Sequence, residues 1–374
     1  MASERLVVKV GTNVLTGRKQ QLDYNTIHEI VEQIGALREA GHKVLLVTSG
    51  AGGAGRSLSS YGAEKNPLVR RQMMTAVGQP RLMQLYTDFF REHHILVAQA
   101  LLTRSDFADR AHYLSIRNVI EGLLRADILP IVNENDVVAS EEITFGDNDY
   151  LAAACAAMIG ANRLFLLTSA SGFFIGGEPA RNPDAKLVRE AREITPEMWA
   201  SCEASLHDGG RGGMLSKLQA VEMAASFGID TYIVPGKEPD VVPRILGGES
   251  LGSRFLARAN RLKGYRQWLR FGAMASGRVV VDEGAAKALH NNKSLLPAGI
   301  AKVEGSFAEG DVVEIYNREM EKLGVGLMNF SSTDIEAMIR GDKPRDRSQE
   351  AIHKDRLLLI VPEKGAPARK AKGA

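Results

Sequence analysis

The stretch ILPIVNEND at residues 128–136, followed by GDND at 146–149, organises the interpretation of the whole chain. It is a short apolar run that ends in polar and acidic residues. The interval between Arg125 and Arg163 contains no Lys or Arg but seven acids: Asp127, Glu134, Asp136, Glu141, Glu142, Asp147 and Asp149. The chain as a whole carries a net charge of +2. This acidic cluster therefore needs cations from elsewhere: a metal ion, an ammonium group or lysines brought in by folding.

Outward from this stretch, strand patterns alternate with helical patterns. Short apolar runs recur at 6–10, 43–48, 95–102, 128–132, 163–168 and 230–234, and amphipathic segments at 24–40, 67–93, 109–125 and 148–160 separate them. Runs that are apolar on both faces are typical of parallel strands covered on both sides. The alternation predicts an α/β fold with a doubly wound, mostly parallel sheet.

Ligands of such sheets bind beyond the carboxyl ends of the strands. Lys9, the segment 49–55 and the segment 133–136 all lie at such ends. Three candidate sites are thus expected to converge on one edge of the sheet.

Composition narrows the functional classes. A chain of 374 residues predicts two domains, and a net charge of +2 gives no global attraction to nucleic acid or membrane. Cys155 and Cys202 have no metal-type spacing, and a disulfide framework is not expected. No apolar run has the ~18 residues that a membrane helix needs, so a cytoplasmic protein is expected.

The first glycine-rich segment, GAGGAG at 50–55, follows a strand and admits several interpretations. It matches the dinucleotide pattern G-x-G-x-x-G, but no acid follows at the end of the next strand. It nearly matches the P-loop, but Arg56 stands where Lys belongs. Backbone N–H groups here can approach an anion closely, or the glycines can simply satisfy a turn that needs positive φ.

The second glycine-rich segment, GGRGG at 209–213, leads into a predicted helix with Lys217 near its start. Helix N-termini attract phosphates, and a lysine adds a point charge. Lys9 lies in an apolar strand, where its ammonium either meets an anion or reaches solvent at the strand end. Two lysines, glycine-rich segments and a carboxylate cluster together favour phosphoryl transfer. An EF-hand is excluded by spacing, although Asp147 or Asn148 can also be a simple helix N-cap.

These residues match a known pattern in order and spacing: VVKVGT at 7–12, VTSGA at 47–51, LLTR at 101–104, NEND at 133–136, GDND at 146–149, and GGM at 212–214 with KLQA at 217–220. The chain resembles the glutamate 5-kinase family, which combines the amino acid kinase fold with a C-terminal PUA domain. The resemblance implies ATP-dependent phosphorylation of the side-chain carboxylate of L-glutamate, the first step of proline biosynthesis. It also implies feedback inhibition by proline and a homo-oligomer, either a dimer or a tetramer.

The resemblance also assigns roles to residues. Lys9 and Lys217 would hold the phosphates and stabilise the transferring group, and Asp149 would orient them. Ser49, Asp136 and Asn148 would bind glutamate, with Asp147 assisting. Mg²⁺ would bridge the phosphates of ATP without a protein ligand. The nucleotide would contact Lys9, Thr168, Ser169, Arg211, Gly212, Gly213, Met214, Leu215, Ser216 and Lys217, although the family often has Asp in place of Ser169 and a small residue in place of Arg211.

The C-terminal part resembles a PUA domain through VVVDEGA at 279–285, LLPAGI at 295–300 and GDVV at 310–313. The predicted organisation is a kinase domain at 1–255, a linker at 256–275, a small mixed-β, PUA-like barrel at 276–355 and a basic disordered tail at 364–374. The PUA domain has either a structural or regulatory role or binds RNA. Three rival functions are another kinase of the same fold, an RNA-binding protein with a vestigial kinase domain, and a dinucleotide enzyme.

Overall fold

The computed structural model describes residues 2–17, 21–56, 64–138, 148–177, 179–180, 182–207, 213–258, 269, 275–342 and 349–359. Contacts divide the chain into two compact units, Met1–Asp106 with Ala111–Arg261, and Phe107–Arg110 with Leu262–Ala374. Most of the predicted linker (259–268 and 270–274) and the whole predicted tail lie outside the described residues. The domain boundaries at 255 and 276 stay predictions.

The first unit is built on a mostly parallel sheet. Its described strands are β1 (Arg5–Val10), β2 (Lys43–Val47), β3 (Val97–Leu102), β4 (Leu129–Glu134), β5 (Arg163–Thr168), β6 (Phe174–Ile175), β7 (Lys186–Leu187), β8 (Glu190–Ala191), β9 (Asp230–Pro235) and β10 (Ser253–Phe255). Among the described residues the main sheet has the order β3-β4-β2-β1-β5-β9-β10-β8, and β6 and β7 form a separate antiparallel pair. The predicted α/β fold with a mostly parallel sheet is confirmed, although β9 is followed by the antiparallel strand β10.

The described helices of this unit are α1 (Thr12–Leu15), α2 (Tyr24–Glu39), α3 (Ala51–Arg56), α4 (Pro67–Glu92), α5 (Arg104–Ala108), α6 (Arg110–Arg125), α7 (Asn148–Ile159), α8 (Pro196–His207), α9 (Gly213–Ser226) and α10 (Val241–Leu246). Helix α6 matches the helix predicted at 109–125. The short helix α5 before it and helix α8 are additional to the predicted elements. The glycine-rich segment forms helix α3 from Ala51 onward rather than an extended loop.

Close packing of α3 against α4 explains one glycine in each helix. A Cβ atom on Gly55 would lie 1.8 Å from the carbonyl oxygen of Met74, and one on Gly78 would lie 1.8 Å from that of Ala51. Two helices whose backbones touch in this way have no room for side chains at the contact. Among the glycines at 50–55, only Gly50, with φ of 97°, has the positive φ that glycine adopts readily.

Strand β1 lies in the middle of the main sheet, between β2 and β5. Because side chains alternate along a strand, Leu6, Val8 and Val10 face one side and Lys9 faces the other. The first side packs on α2 and α4 in the main core. The other side is covered by α7, which packs on both β1 and α9. The small buried residues of α7, from Ala152 to Ala156, permit this close approach.

The second unit is a small mixed-β domain, as predicted. Its strands are β11 (Gly277–Val281), β12 (Ile300–Gly305), β13 (Val312–Tyr316), β14 (Lys322–Leu327) and β15 (Leu357–Leu359), its α-helices are α11 (Glu283–His290) and α12 (Ser332–Arg340), and its 3-10 turns are Pro297–Gly299 and Lys354–Arg356. The described strands form one sheet in the order β12-β11-β13-β14-β15. The sequence analysis did not anticipate β15 and α12. Throughout the described part of the chain, no helix combines the length and the apolar character that crossing a membrane requires.

Candidate active site

Two buried lysines meet one buried carboxylate beyond the carboxyl end of β1. Lys9 Nζ lies 2.5 Å from Asp149 Oδ1, and Lys217 Nζ lies 2.9 Å from Asp149 Oδ2. The Asp149 side chain is 0% exposed, so each of its oxygens is neutralised by protein rather than by water. One carboxylate between two ammonium groups leaves one surplus positive charge. The cations that the acidic stretch requires near Asp149 are therefore lysines from β1 and α9.

The first turn of α9 positions Lys217. Lys217 Nζ donates a hydrogen bond to the carbonyl oxygen of Gly213 at 3.0 Å. Ser216 Oγ lies 3.2 Å from Asp149 Oδ2 and 3.1 Å from the Gly213 carbonyl oxygen, and its single O–H can donate to either. The N–H groups in the first turn of this 14-residue helix have no acceptor within the helix itself, and the helix dipole places partial positive charge at this end. Backbone and lysine together form a cationic corner suited to phosphate oxygens.

A second polar group lies at the ends of β2 and β4. Asn148 Nδ2 donates to Ser49 Oγ at 2.9 Å and to Asn133 Oδ1 at 3.1 Å, and Asn133 Nδ2 donates to Gln79 Oε1 at 2.8 Å. The Oδ1 atom of Asn148 is buried and has no hydrogen-bond partner among the described residues. A buried acceptor without a partner costs free energy. This atom is thus available for a donor group of a ligand.

The end of β4 also carries two acids beside an arginine. Arg71 Nη2 donates to Asp136 Oδ1 at 3.0 Å. Burial raises the pKa of Asp136, and Arg71 opposes this shift. Burial, aided by the negative charge of Asp136, raises the pKa of Glu134 to about 7. A negative charge at the end of β4 is therefore destabilising unless a cation lies beside it.

Both lysines and the polar residues at the ends of β2 and β4 line one cleft of about 1170 Å³, with Asp149 behind the lysines. The described part of its lining contains five cationic side chains and two acidic ones, so the cleft is suited to anionic ligands. The cations are Lys9, Arg56, Arg70, Arg71 and Lys217, and the acids are Glu134 and Asp136.

Most residues assigned from the sequence come together in this cleft. Its lining includes Lys9, Ser49, Asp136, Asn148, Thr168, Ser169, Gly213 and Lys217. Asp149 lies behind the two lysines, and Met214, Leu215 and Ser216 lie in the first turn of α9. Asp147, Arg211 and Gly212 lie outside the described residues. The roles given to all these residues stay predictions.

Sequence reasoning did not select Arg71, Gln79 or Glu134. Helical spacing places Arg71, Thr75 and Gln79 on one face of α4, and Thr75 and Gln79 are buried. Three polar residues at this spacing are typical of a solvent-exposed helix face, so nothing in the sequence indicated that α3 and the end of β4 cover it.

The described carboxylates of the cleft do not form a metal site by themselves. No group of three His, Cys, Asp or Glu side chains with metal-binding geometry occurs in the described ranges. Both oxygens of Asp149 already face lysines. The described donor set is compatible with a divalent cation whose ligands come mainly from phosphates.

Comparison with known proteins places these observations among characterised families. The model of the amino acid kinase family matches residues 4–235, and that of the PUA domain matches residues 277–345. The glutamate 5-kinase of Dehalococcoides mccartyi strain CBDB1 is 38% identical over 369 residues, covering 96% of this chain and 98% of the relative. That of Citrobacter koseri is 42% identical over 331 residues, covering 88% and 90%. Among solved structures, the UMP kinase from Bacillus anthracis is 13% identical with a TM-score of 0.47, covering 68% of this chain and 97% of that one.

Proposed function

Since the chain belongs to the amino acid kinase family, and within it to the glutamate 5-kinases with a PUA domain, we propose that its cleft transfers the γ-phosphoryl group of ATP to the side-chain carboxylate of L-glutamate. The products are L-glutamyl 5-phosphate and ADP, and this reaction is the first step of proline biosynthesis. The single observation that carries the proposal is the buried arrangement of Lys9, Asp149 and Lys217 at the edge of the cleft.

The lysine end of the cleft suits the phosphates. In phosphoryl transfer, charge spreads over the oxygens of the transferring group, and catalysis consists mainly of positioning and charge neutralisation. Asp149 holds both ammonium groups in place, and their surplus charge faces the cleft. Thr168 and Ser169 at the end of β5, together with the first turn of α9, are proposed to hold the rest of the nucleotide.

The reaction needs no general base. A glutamate side chain has a pKa near 4.3 and is already ionised at neutral pH. One of its oxygens attacks the γ-phosphorus, the bond from this phosphorus to the bridging oxygen breaks, and ADP leaves with the electron pair. No proton is removed, which agrees with a site whose central carboxylate, Asp149, is committed to two lysines. Mg²⁺ supplies further positive charge to the phosphates when it is bound.

The Ser49, Asp136 and Asn148 end of the cleft is proposed to hold glutamate. A carboxylate suits the substrate ammonium, and Ser49 Oγ and the amides after β2 suit an anionic group. Inhibition by proline at the same end, assembly into a dimer or tetramer, and RNA binding by the PUA domain follow from the family resemblance alone and remain proposals. The PUA domain itself is present, from residue 277 to 345.

The test is chemical trapping of the acyl phosphate. Protein with ATP, Mg²⁺, L-glutamate and hydroxylamine should produce glutamyl hydroxamate, and parallel reactions with L-aspartate or UMP should produce little ADP. Turnover of one of these alternatives without turnover of L-glutamate would transfer the assignment to another kinase of the same fold. A second arm with added proline measures feedback inhibition.

A further inference from the structure

Arg71 is the feature of the cleft that the proposed mechanism does not use. It lies near the start of α4, and its Nη2 atom is 3.0 Å from Asp136 Oδ1. The Asp136 side chain is only 15% exposed, whereas that of Arg71 is 54% exposed. The carboxylate is therefore fixed in the wall of the cleft, and the guanidinium group reaches it from a long side chain with room to move.

This pair stands where the substrate ammonium is expected. Under the proposed function, on which this inference rests, Asp136 receives the α-ammonium of glutamate. In this structure, however, the guanidinium group of Arg71 is bound to the same carboxylate. The Asp136 side chain is only 15% exposed and lies near a second acid, Glu134, so its negative charge is destabilising unless a cation lies beside it. The substrate ammonium can meet this requirement in place of Arg71, because one positive charge replaces another.

We propose that Arg71 is a specificity residue that leaves Asp136 when an α-amino acid binds and pairs with the α-carboxylate of that substrate. The Arg71–Asp136 ion pair is then a receptor for a zwitterion. Its two charges separate, Asp136 binds the ammonium group, and Arg71 binds the carboxylate. The binding class is an α-amino acid with both groups ionised.

Covalent geometry supports this assignment. The α-nitrogen and the α-carboxylate carbon are joined through one carbon, with bonds of about 1.46 and 1.52 Å, so they lie roughly 2.5 Å apart. A cation that binds the α-carboxylate must therefore be next to Asp136 when Asp136 binds the ammonium. Arg71 is already at this place, whereas Lys9 and Lys217 are committed to Asp149. Arg56 and Arg70 also line the cleft, but Arg71 is the one of these arginines with a described ion pair to Asp136. A guanidinium group also matches a carboxylate with two parallel hydrogen bonds.

The experiment compares Arg71→Gln with a control on the same helix, Arg91→Gln. Arg91 pairs with Asp88 at 3.3 Å and its side chain is 71% exposed, so this variant also removes an arginine from an ion pair. Three ligands are used: L-glutamate, 4-aminobutyrate, which lacks the α-carboxylate, and glutarate, which lacks the ammonium. The readout is kcat and KM for ADP release, or the inhibition constant against L-glutamate for a ligand that is not phosphorylated.

We expect Arg71→Gln to raise KM for L-glutamate by about 10- to 100-fold, the range expected for lost hydrogen bonds to a charged group, with a much smaller change in kcat. Affinity for 4-aminobutyrate should stay the same or improve, because Asp136 no longer has a competing cation. Affinity for glutarate should fall, Arg71→Lys should restore part of the loss, and Arg91→Gln should leave all constants unchanged.

Two results would overturn the proposal. The first is an unchanged KM for L-glutamate in Arg71→Gln. The second is an equal loss of affinity for L-glutamate and 4-aminobutyrate, because an equal loss would indicate a general distortion of the cleft. Failure of the proposed function is a separate result, namely that the wild-type protein neither phosphorylates nor binds L-glutamate. Calorimetric titration of L-glutamate into wild type and Arg71→Gln without ATP distinguishes the two failures.

Discussion

Replacement of Asp149 by Asn tests whether the buried carboxylate sets the positions of both lysines. The substitution keeps the size of the side chain and removes its charge. Lys9 and Lys217, whose Nζ atoms lie 2.5 and 2.9 Å from Asp149, would then be two buried ammonium groups without a counter-ion. The two ammonium groups would repel each other. At least one lysine would then lose its charge or turn its side chain toward solvent.

The expected magnitude follows from burial. Removing one partner of a buried ion pair costs roughly 3–5 kcal/mol, because a charge stays behind without compensation. In a unit of this size, one kcal/mol corresponds to a shift in melting temperature of about 2–4 °C. Asp149→Asn should therefore lower the melting temperature by about 6–20 °C. Since misplaced charge stabilisation costs about 10²- to 10³-fold in rate, kcat for hydroxamate formation should fall by at least that factor.

Asp127→Asn is the matched control. Asp127 also bridges two cations, Arg38 at 3.1 Å and Lys43 at 2.9 Å, but its side chain is 70% exposed. The Asp127–Lys43 pair is exposed on both sides and contributes at most about 1 kcal/mol. The Arg38 side chain is only 9% exposed, but it keeps its hydrogen bond to the backbone carbonyl oxygen of residue 127 in this variant. Asp127→Asn should therefore melt within a few degrees of wild type and keep its activity. Two outcomes would contradict this explanation of Asp149. One is that Asp149→Asn melts at the temperature of wild type and keeps a kcat within tenfold of it. The other is that Asp149→Asn and Asp127→Asn lower the melting temperature equally.

Two further predictions concern Glu134 and the contact between α3 and α4. Burial raises the pKa of Glu134 from its usual 4.5 to about 7, so the folded protein holds this proton to a higher pH than the unfolded chain and loses stability as the pH rises from about 4.5 to 7. Glu134→Gln has no carboxyl group to ionise and so does not lose this stability. Its melting temperature should exceed that of wild type at pH 8 and approach the wild-type value at pH 5. A difference in melting temperature that does not depend on pH would contradict the burial argument. Gly78→Ala places a Cβ atom 1.8 Å from the carbonyl oxygen of Ala51 and should destabilise the protein by about 1–3 kcal/mol in chemical denaturation. By contrast, Gly122→Ala in α6, where the nearest atom is an Arg125 side-chain nitrogen at 3.9 Å, should stabilise it by roughly 0.5–1 kcal/mol; equal effects of the two alanines would show that helix contact is not the cause.

The glycine-rich segment at 50–55 shows where pattern reasoning is limited. Its composition fits a phosphate-binding turn, a dinucleotide turn or a simple bend, and the sequence alone left these alternatives open. The structure shows a helix from Ala51 to Arg56 in which Gly55 meets the backbone of α4. The deciding contact joins Gly55 to Met74, which lies in a different helix. A local window that contains only the glycines cannot reveal it.

The same limit applies to the substrate end of the cleft. Asp136 was recognised because it follows a buried strand, and strand ends of a parallel sheet meet at one edge. Its partner Arg71 was missed because 65 residues separate the two side chains. The helical spacing of the polar residues Arg71, Thr75 and Gln79 is typical of an exposed face, and the residues that cover this face belong to other elements.

The stretch at 128–149 separates what the sequence determined from what only the tertiary structure decided. Apolar strands and helical periodicity are properties of neighbouring residues, so the sequence was sufficient for the α/β fold, for the acidic cluster and for the conclusion that cations must come from elsewhere. Folding decided which cations they are. Lys9 and Lys217 are 208 positions apart in the chain and meet Asp149 only because α7 packs on both β1 and α9. Contacts between such distant residues depend on side-chain shape and burial across the whole unit. The free energy that holds two buried lysines beside one carboxylate comes from tertiary contacts, and no local sequence pattern encodes them.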